Sequence, residues 1–139
     1  MTMWRLALPC LLLAACGERE GASEASTIAE AQVAASVVAL SATEAAAMRE
    51  APEPPTFIDV RTPEEWAEGH VEGARLMPLA DFDPAALDGE NVVLYCRSGR
   101  RSAEAATMLA EHRGESVAHM DGGFIAWADA GYPTVTPEG

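Results

Sequence analysis

The chain has 139 residues, enough for one domain and short of two. Its nine basic residues are all Arg and stand against 22 acids, a formal charge of −13 that repels phosphates and argues against nucleic acid as a partner. Three of the nine arginines fall within residues 97–101, so the positive potential is local and suits a small anion better than a polyanion.

At the N-terminus, Arg5 precedes an apolar run, Leu6 to Ala15, interrupted by Pro9. A bilayer takes about 20 apolar residues to cross. A charge, a short apolar core and small residues instead predict an export signal. The end of the run, Leu13-Ala14-Ala15-Cys16-Gly17, resembles the lipobox of bacterial lipoproteins. That resemblance implies cleavage before Cys16 and lipidation of its thiol and new amino group; an ordinary secretory signal with Cys16 left free is the alternative. The expected organisation is a signal peptide over 1–15, the lipidated Cys16 with a flexible Gly-, Ala-, Ser- and Glu-rich tether over 16–35, and a folded domain over 36–139. Removing residues 1–15 takes away Arg5 and no acid, leaving eight Arg against 22 acids, or −14. By the same resemblance the protein is lipid-anchored in the cell envelope facing the periplasm. Gly rather than Asp after the anchor points to the outer membrane. With Cys10 lost and Cys16 carrying lipid, Cys96 is the free thiol of the mature chain, and no intramolecular disulfide competes for it.

Val37-Val38-Ala39 reads as a first strand. Ser41 and Glu44 form a capping box for a helix from Ala42 to about Arg49, ended by the prolines at 52, 54 and 55. Thr56 to Val60 is the next strand. Thr62, Pro63 and Glu65 then open a helix as N-cap, first residue and capping-box partner. Trp66 on that helix is expected in the core. Asp59 and Arg61, at the strand's exit, read as a structural ion pair ordering loops. Arg75-Leu76-Met77 is a short strand stopped by Pro78, and Asp83-Pro84 starts a helix through Leu87.

Residues 92–102 organise the rest. Val92 to Tyr95 is a buried strand that runs into Cys96, followed by a loop with a glycine and three arginines and then a helical pattern. Backbone N–H groups of such a loop and the N-terminus of the next helix favour an anion and lower a thiol pKa. Ser116 to Met120 is the last strand. Gly122-Gly123 permits a tight turn before a helix over Phe124–Ala130, with Gly131 as its stop. Phe124 and Trp127, three apart, are expected to pack in the core. His70, His112 and His119 are scattered without ligand spacing, so no metal is expected. Strands alternating with helices predict an α/β fold, a parallel five-stranded sheet with helices on both faces.

Three stretches together resemble the rhodanese (sulfurtransferase) family over about residues 36–135. They are the Cys96–Arg101 loop, Trp66-Ala67-Glu68-Gly69-His70-Val71-Glu72-Gly73-Ala74, and Asp121-Gly122-Gly123-Phe124-Ile125-Ala126-Trp127. The resemblance implies that the Cys96 thiolate takes a sulfane sulfur from a small anionic donor such as thiosulfate. The resulting persulfide passes to a thiol or cyanide acceptor. Arg97, Ser98, Gly99, Arg100, Arg101 and Ser102 form the cradle. Arg97 and Arg101 meet substrate charge, and Arg100 stands on the rim. His70 belongs to a structural turn and is not the base for Cys96. No cofactor and no obligate protein partner is implied; the membrane enters only through Cys16. Two alternatives stand. Phosphatases and arsenate reductases related to this fold place Arg six residues after the Cys, where this chain has Ser102, and their loop is one residue longer. A tethered binding or persulfide-sensing module would keep Cys96 with little turnover.

Overall fold

The structure is a computed structural model and describes residues 35–138; the expected signal peptide and Cys16 lie outside the described residues. Five strands form one parallel sheet: β1 (Val37–Leu40), β2 (Thr56–Asp59), β4 (Arg75–Leu76), β5 (Val92–Tyr95) and β6 (Val117–Met120). Their spatial order is β1-β6-β5-β2-β4, with Ile58 beside Leu94 and Leu94 beside His119. The helices are α1 (Ala42–Arg49), α2 (Pro63–Glu68), α3 (Arg100–Arg113) and α4 (Gly123–Asp129). The expected α/β architecture is therefore the observed one.

Every residue of β5 is buried, which requires cover on both faces of the sheet. Side chains alternate. Val92, Leu94 and Cys96 join Ala105, Ala106, Leu109 and Ala110 of α3 in one core layer. Val93 and Tyr95 join Ala45 of α1 and Trp127 of α4 in the other. The alanines of α3 bring that helix close to the strand it follows, and this fixes where its N-terminus meets the end of β5.

Helix starts follow the chain's local chemistry. Ser41 Oγ accepts the Glu44 N–H while the Glu44 carboxylate accepts the Ser41 N–H. Thr62 and Glu65 repeat the arrangement in α2, with Pro63 at its first position. Asp59 and Arg61 form the expected structural pair. Both are buried, Arg61 Nη2 stands 2.7 Å from Asp59 Oδ2, and the same nitrogen donates to the Gly69 carbonyl at 2.7 Å.

Three features of the fold add to or differ from expectation. Trp66 is only half-buried. It stacks face to face on His70, ring centroids 3.4 Å apart, because α2 is a short helix on the domain's rim with no fully buried residue. Residues 84–87 close as a 3-10 turn rather than an α-helix. A two-residue antiparallel pair, β3 (His70–Val71) with β7 (Thr134–Val135), was not foreseen, since so short a ladder leaves no periodic pattern.

Candidate active site

In an open parallel sheet, ligands bind beyond the carboxyl ends of the strands. Cys96 sits there, one residue past β5, with 1% of its surface exposed. Its Sγ accepts the Gly99 N–H at 3.0 Å. Burial alone pushes the thiol pKa up. The N–H and hydroxyl of Ser102 and the N–H groups of Gly99 and Ser98 outweigh it and hold the pKa below its ordinary value. The N-terminus of α3 carries no side-chain cap, so its amide groups remain free to serve the sulfur.

Gly99 makes the loop possible. Its φ is +107°, and a Cβ there would stand 2.9 Å from Asp121 Oδ1. From the other side, the start of α4 grips the loop from outside. Phe124 N donates to the Cys96 carbonyl at 2.8 Å, and Ile125 N donates to the Arg97 carbonyl at 3.2 Å. This approach needs Gly123, where a Cβ would lie 2.4 Å from the Cys96 carbonyl oxygen. The glycine pair read from the chain as a turn is thus also a clamp on the loop.

The cradle residues divide into inner and outer groups. Gly99 and Ser102 are buried, while Arg97, Ser98 and Arg100 are exposed. Arg97 stands on the rim of a pocket of about 280 Å³ whose lining includes Arg61, Glu65, Phe124 and Ile125. Arg101, expected to meet substrate charge, makes a bidentate ion pair with Glu65, 2.8 Å for each of its two bonds. That bond is the main reason the Glu65 carboxyl falls to about 2. Phe124, expected in the core, is half-buried and faces the pocket, with the Arg61 guanidinium 4.4 Å from its ring centre.

His70 is held within its own turn, Nδ1 3.1 Å from the Trp66 carbonyl, as expected of a structural residue. His112 pairs with Asp88 at the far end of α3. His119, in contrast, lies 3.0 Å from Ser102 Oγ and so touches the cradle from behind. Sequence reasoning missed Glu65, His119 and the clamp of Gly123, Phe124 and Ile125. Glu65 already had a local explanation as a cap. The other contacts come from strands and helices brought together only by the fold.

Comparisons with known proteins identify a family and a fold. The family model described as Rhodanese-like domain matches residues 41–130. A protein named Sulfurtransferase from Allochromatium vinosum is 39% identical over 87 residues, 60% of this chain and 80% of that protein. An uncharacterised Synechocystis protein is 40% identical over 82 residues, 57% of this chain; the match spans 46% of the Synechocystis protein's length. The crystal structure of a rhodanese-related protein from Thermoplasma volcanium superposes with a TM-score of 0.62 at 26% identity, covering 70% of this chain and 96% of that one.

Proposed function

This chain belongs to the rhodanese-like family, and on that premise we propose that it moves a sulfane sulfur from an anionic donor such as thiosulfate to a thiol, or to cyanide in assay, through a persulfide on Cys96. The observation that carries the reading is the sulfur's surroundings: a buried thiol whose pKa is held down by backbone N–H groups and the Ser102 hydroxyl. Thiolate is the attacking form, and these groups supply it without a separate base.

In the first step the Cys96 thiolate attacks the outer sulfur of thiosulfate. The new S–S bond forms as the bond to the SO₃ group breaks, and sulfite leaves with the electron pair. In the second step an acceptor thiolate attacks the terminal sulfur of the persulfide, and Cys96 departs as thiolate. Negative charge rests on sulfur inside the loop before and after each displacement, so the same N–H donors serve both. Donor and acceptor enter beside Arg97, the exposed arginine on the adjoining pocket. Arg101 contributes charge from behind its pair with Glu65. Lipidation of Cys16 and an envelope location facing the periplasm belong to the same proposal and rest on the lipobox resemblance.

Incubation with thiosulfate is expected to add one sulfur, about 32 Da, to the Cys96 peptide, and cyanide or a thiol to remove it. Cys96→Ser is expected to abolish adduct and turnover alike. Cys96-dependent hydrolysis of an aryl phosphate without a sulfur adduct would overturn the reading in favour of a phosphatase. An adduct that no small acceptor discharges would favour a sensing module.

A further inference from the structure

The cavity of about 280 Å³ beside the Cys96 loop holds charges that the proposed reaction has not used. Arg61, Glu65, Glu68, Arg97 and Asp129 line it. Two of these are already answered: Arg61 is buried against Asp59, and Glu65 holds Arg101. Glu68, Arg97 and Asp129 are exposed, and none of them forms an ion pair among the described residues. The free charge on the walls is therefore one positive against two negative. Phe124, Ile125 and Ala128 supply the apolar part, and Ile125 is 43% exposed.

The two acids stand where helix stability would not put them. Carbonyls at a helix C-terminus favour a cation. Helices α1 and α3 follow the rule and end on Arg49 and Arg113. Helices α2 and α4 end on Glu68 and Asp129, with no basic residue in either last turn. Both exceptions line the same cavity. A volume of about 280 Å³ is about 7 Å across, less than the Debye length of about 8 Å at physiological salt, so its charges act together on one occupant. An anionic donor gains nothing from the two acids, and an acceptor thiolate is repelled by them. A thiol that carries an ammonium group resolves the conflict. It brings a cation for the acids, methylenes for Phe124 and Ile125, and a sulfur for Cys96.

We propose that the sulfur acceptor is a small aminothiol whose ammonium group is held by Glu68 and Asp129, an inference that rests on the sulfurtransferase reading. Its thiolate attacks the outer sulfur of the Cys96 persulfide. The S–S bond breaks, Cys96 leaves as thiolate with the electron pair, and the aminothiol departs as a persulfide, any proton on the outer sulfur travelling with it. Arg97, on the same cavity, remains for the anionic donor, so the walls divide the two substrates by charge.

The test loads Cys96 with sulfur from thiosulfate in the full chain, removes the donor, and follows loss of the adduct by mass spectrometry. The acceptors are cysteamine, 2-mercaptoethanol and 3-mercaptopropionate, which carry a cation, no charge and an anion, each at equal thiolate concentration. Comparing one thiol between wild type and the double variant Glu68→Gln/Asp129→Asn cancels its intrinsic nucleophilicity. The double variant is expected to slow cysteamine about fivefold, the scale of exposed ion pairs, to leave 2-mercaptoethanol within about twofold, and to speed 3-mercaptopropionate. High salt should shrink the cysteamine effect. Because both acids oppose their helix ends, the variant should melt no lower than wild type. Glu53→Gln/Glu111→Gln makes the same change in net charge on exposed residues at the other end of the sheet and should leave all three rates within about twofold. An unchanged cysteamine rate overturns the proposal, as does equal slowing of all three thiols or an equal effect of the distant pair. Where thiosulfate leaves no adduct, the sulfurtransferase reading fails by itself. The cation preference is then read from alkylation of Cys96 by 2-bromoethylamine against iodoacetamide: Glu68→Gln/Asp129→Asn should slow the amine alone, and an unchanged ratio is overturning.

Discussion

Glu65 serves two neighbours with one carboxylate. Its Oε2 accepts the Thr62 N–H that begins α2 and also an Arg101 N–H, while Oε1 accepts the second Arg101 bond. Arg101 is thereby oriented, and part of its charge is answered before any substrate arrives. Glu65→Gln keeps the cap and loses the ion pair, so at neutral pH it should cost about 1 kcal/mol, the scale of a partly exposed pair. The sign with pH follows from the depressed carboxyl, about 2 in the folded state against an ordinary 4.5. Wild type should hold its advantage down to about pH 5 and lose it as pH falls toward 2, since the unfolded chain takes up the proton first. Chemical denaturation of the two proteins across that range checks it. A gap that stays constant to pH 2 would mean the pair contributes nothing through Glu65's ionisation.

The contact between α4 and the loop predicts a sharp difference between two glycines with similar backbone angles. Gly89 has φ +75° and open space around its missing Cβ, so Gly89→Ala should cost about 1 kcal/mol from backbone strain alone. Gly123 has φ +57° and the Cys96–Arg97 backbone within 2.4–2.6 Å of that position. Gly123→Ala should therefore cost at least about 3 kcal/mol, or push α4 off the loop and slow Cys96 alkylation. Thermal melts and alkylation rates of the two variants separate these outcomes, and equal costs would refute the clamp. The contrast also marks what the chain makes readable. Helix starts at Ser41 and Thr62 and the buried run 92–95 are written in local chemistry and periodicity, and they held. The loop's central residues, Cys96, Gly99 and Ser102, were readable because strand, thiol and helix start are contiguous. His119 and Glu65 were not, because their partners lie 17 and 36 residues away in the chain. Trp66 misled for a different reason: a large aromatic on a rim helix satisfies itself by stacking on His70 rather than by entering the core.

At the scale of the whole molecule, a strongly acidic chain places three of its nine arginines within five residues of its buried thiol. The proposed lipid anchor would hold that site near a membrane surface; Cys16→Ser should abolish the lipid-dependent mass shift and release the protein from the membrane fraction, and partitioning that survives the change would refute anchoring. Within the domain, the bonds from Phe124 and Ile125 have one more effect. A planar trans peptide points its N–H opposite to its carbonyl. Fixing the Arg97 carbonyl toward α4 therefore turns the Ser98 N–H the other way, and Ser98 is one of the groups that steady the Cys96 sulfur. The dipoles around the sulfur are aimed when the chain folds rather than when charge moves. Water around a free thiol must reorient whenever charge on the sulfur changes; donors held in place by a helix on the far side of the loop need no such reorientation.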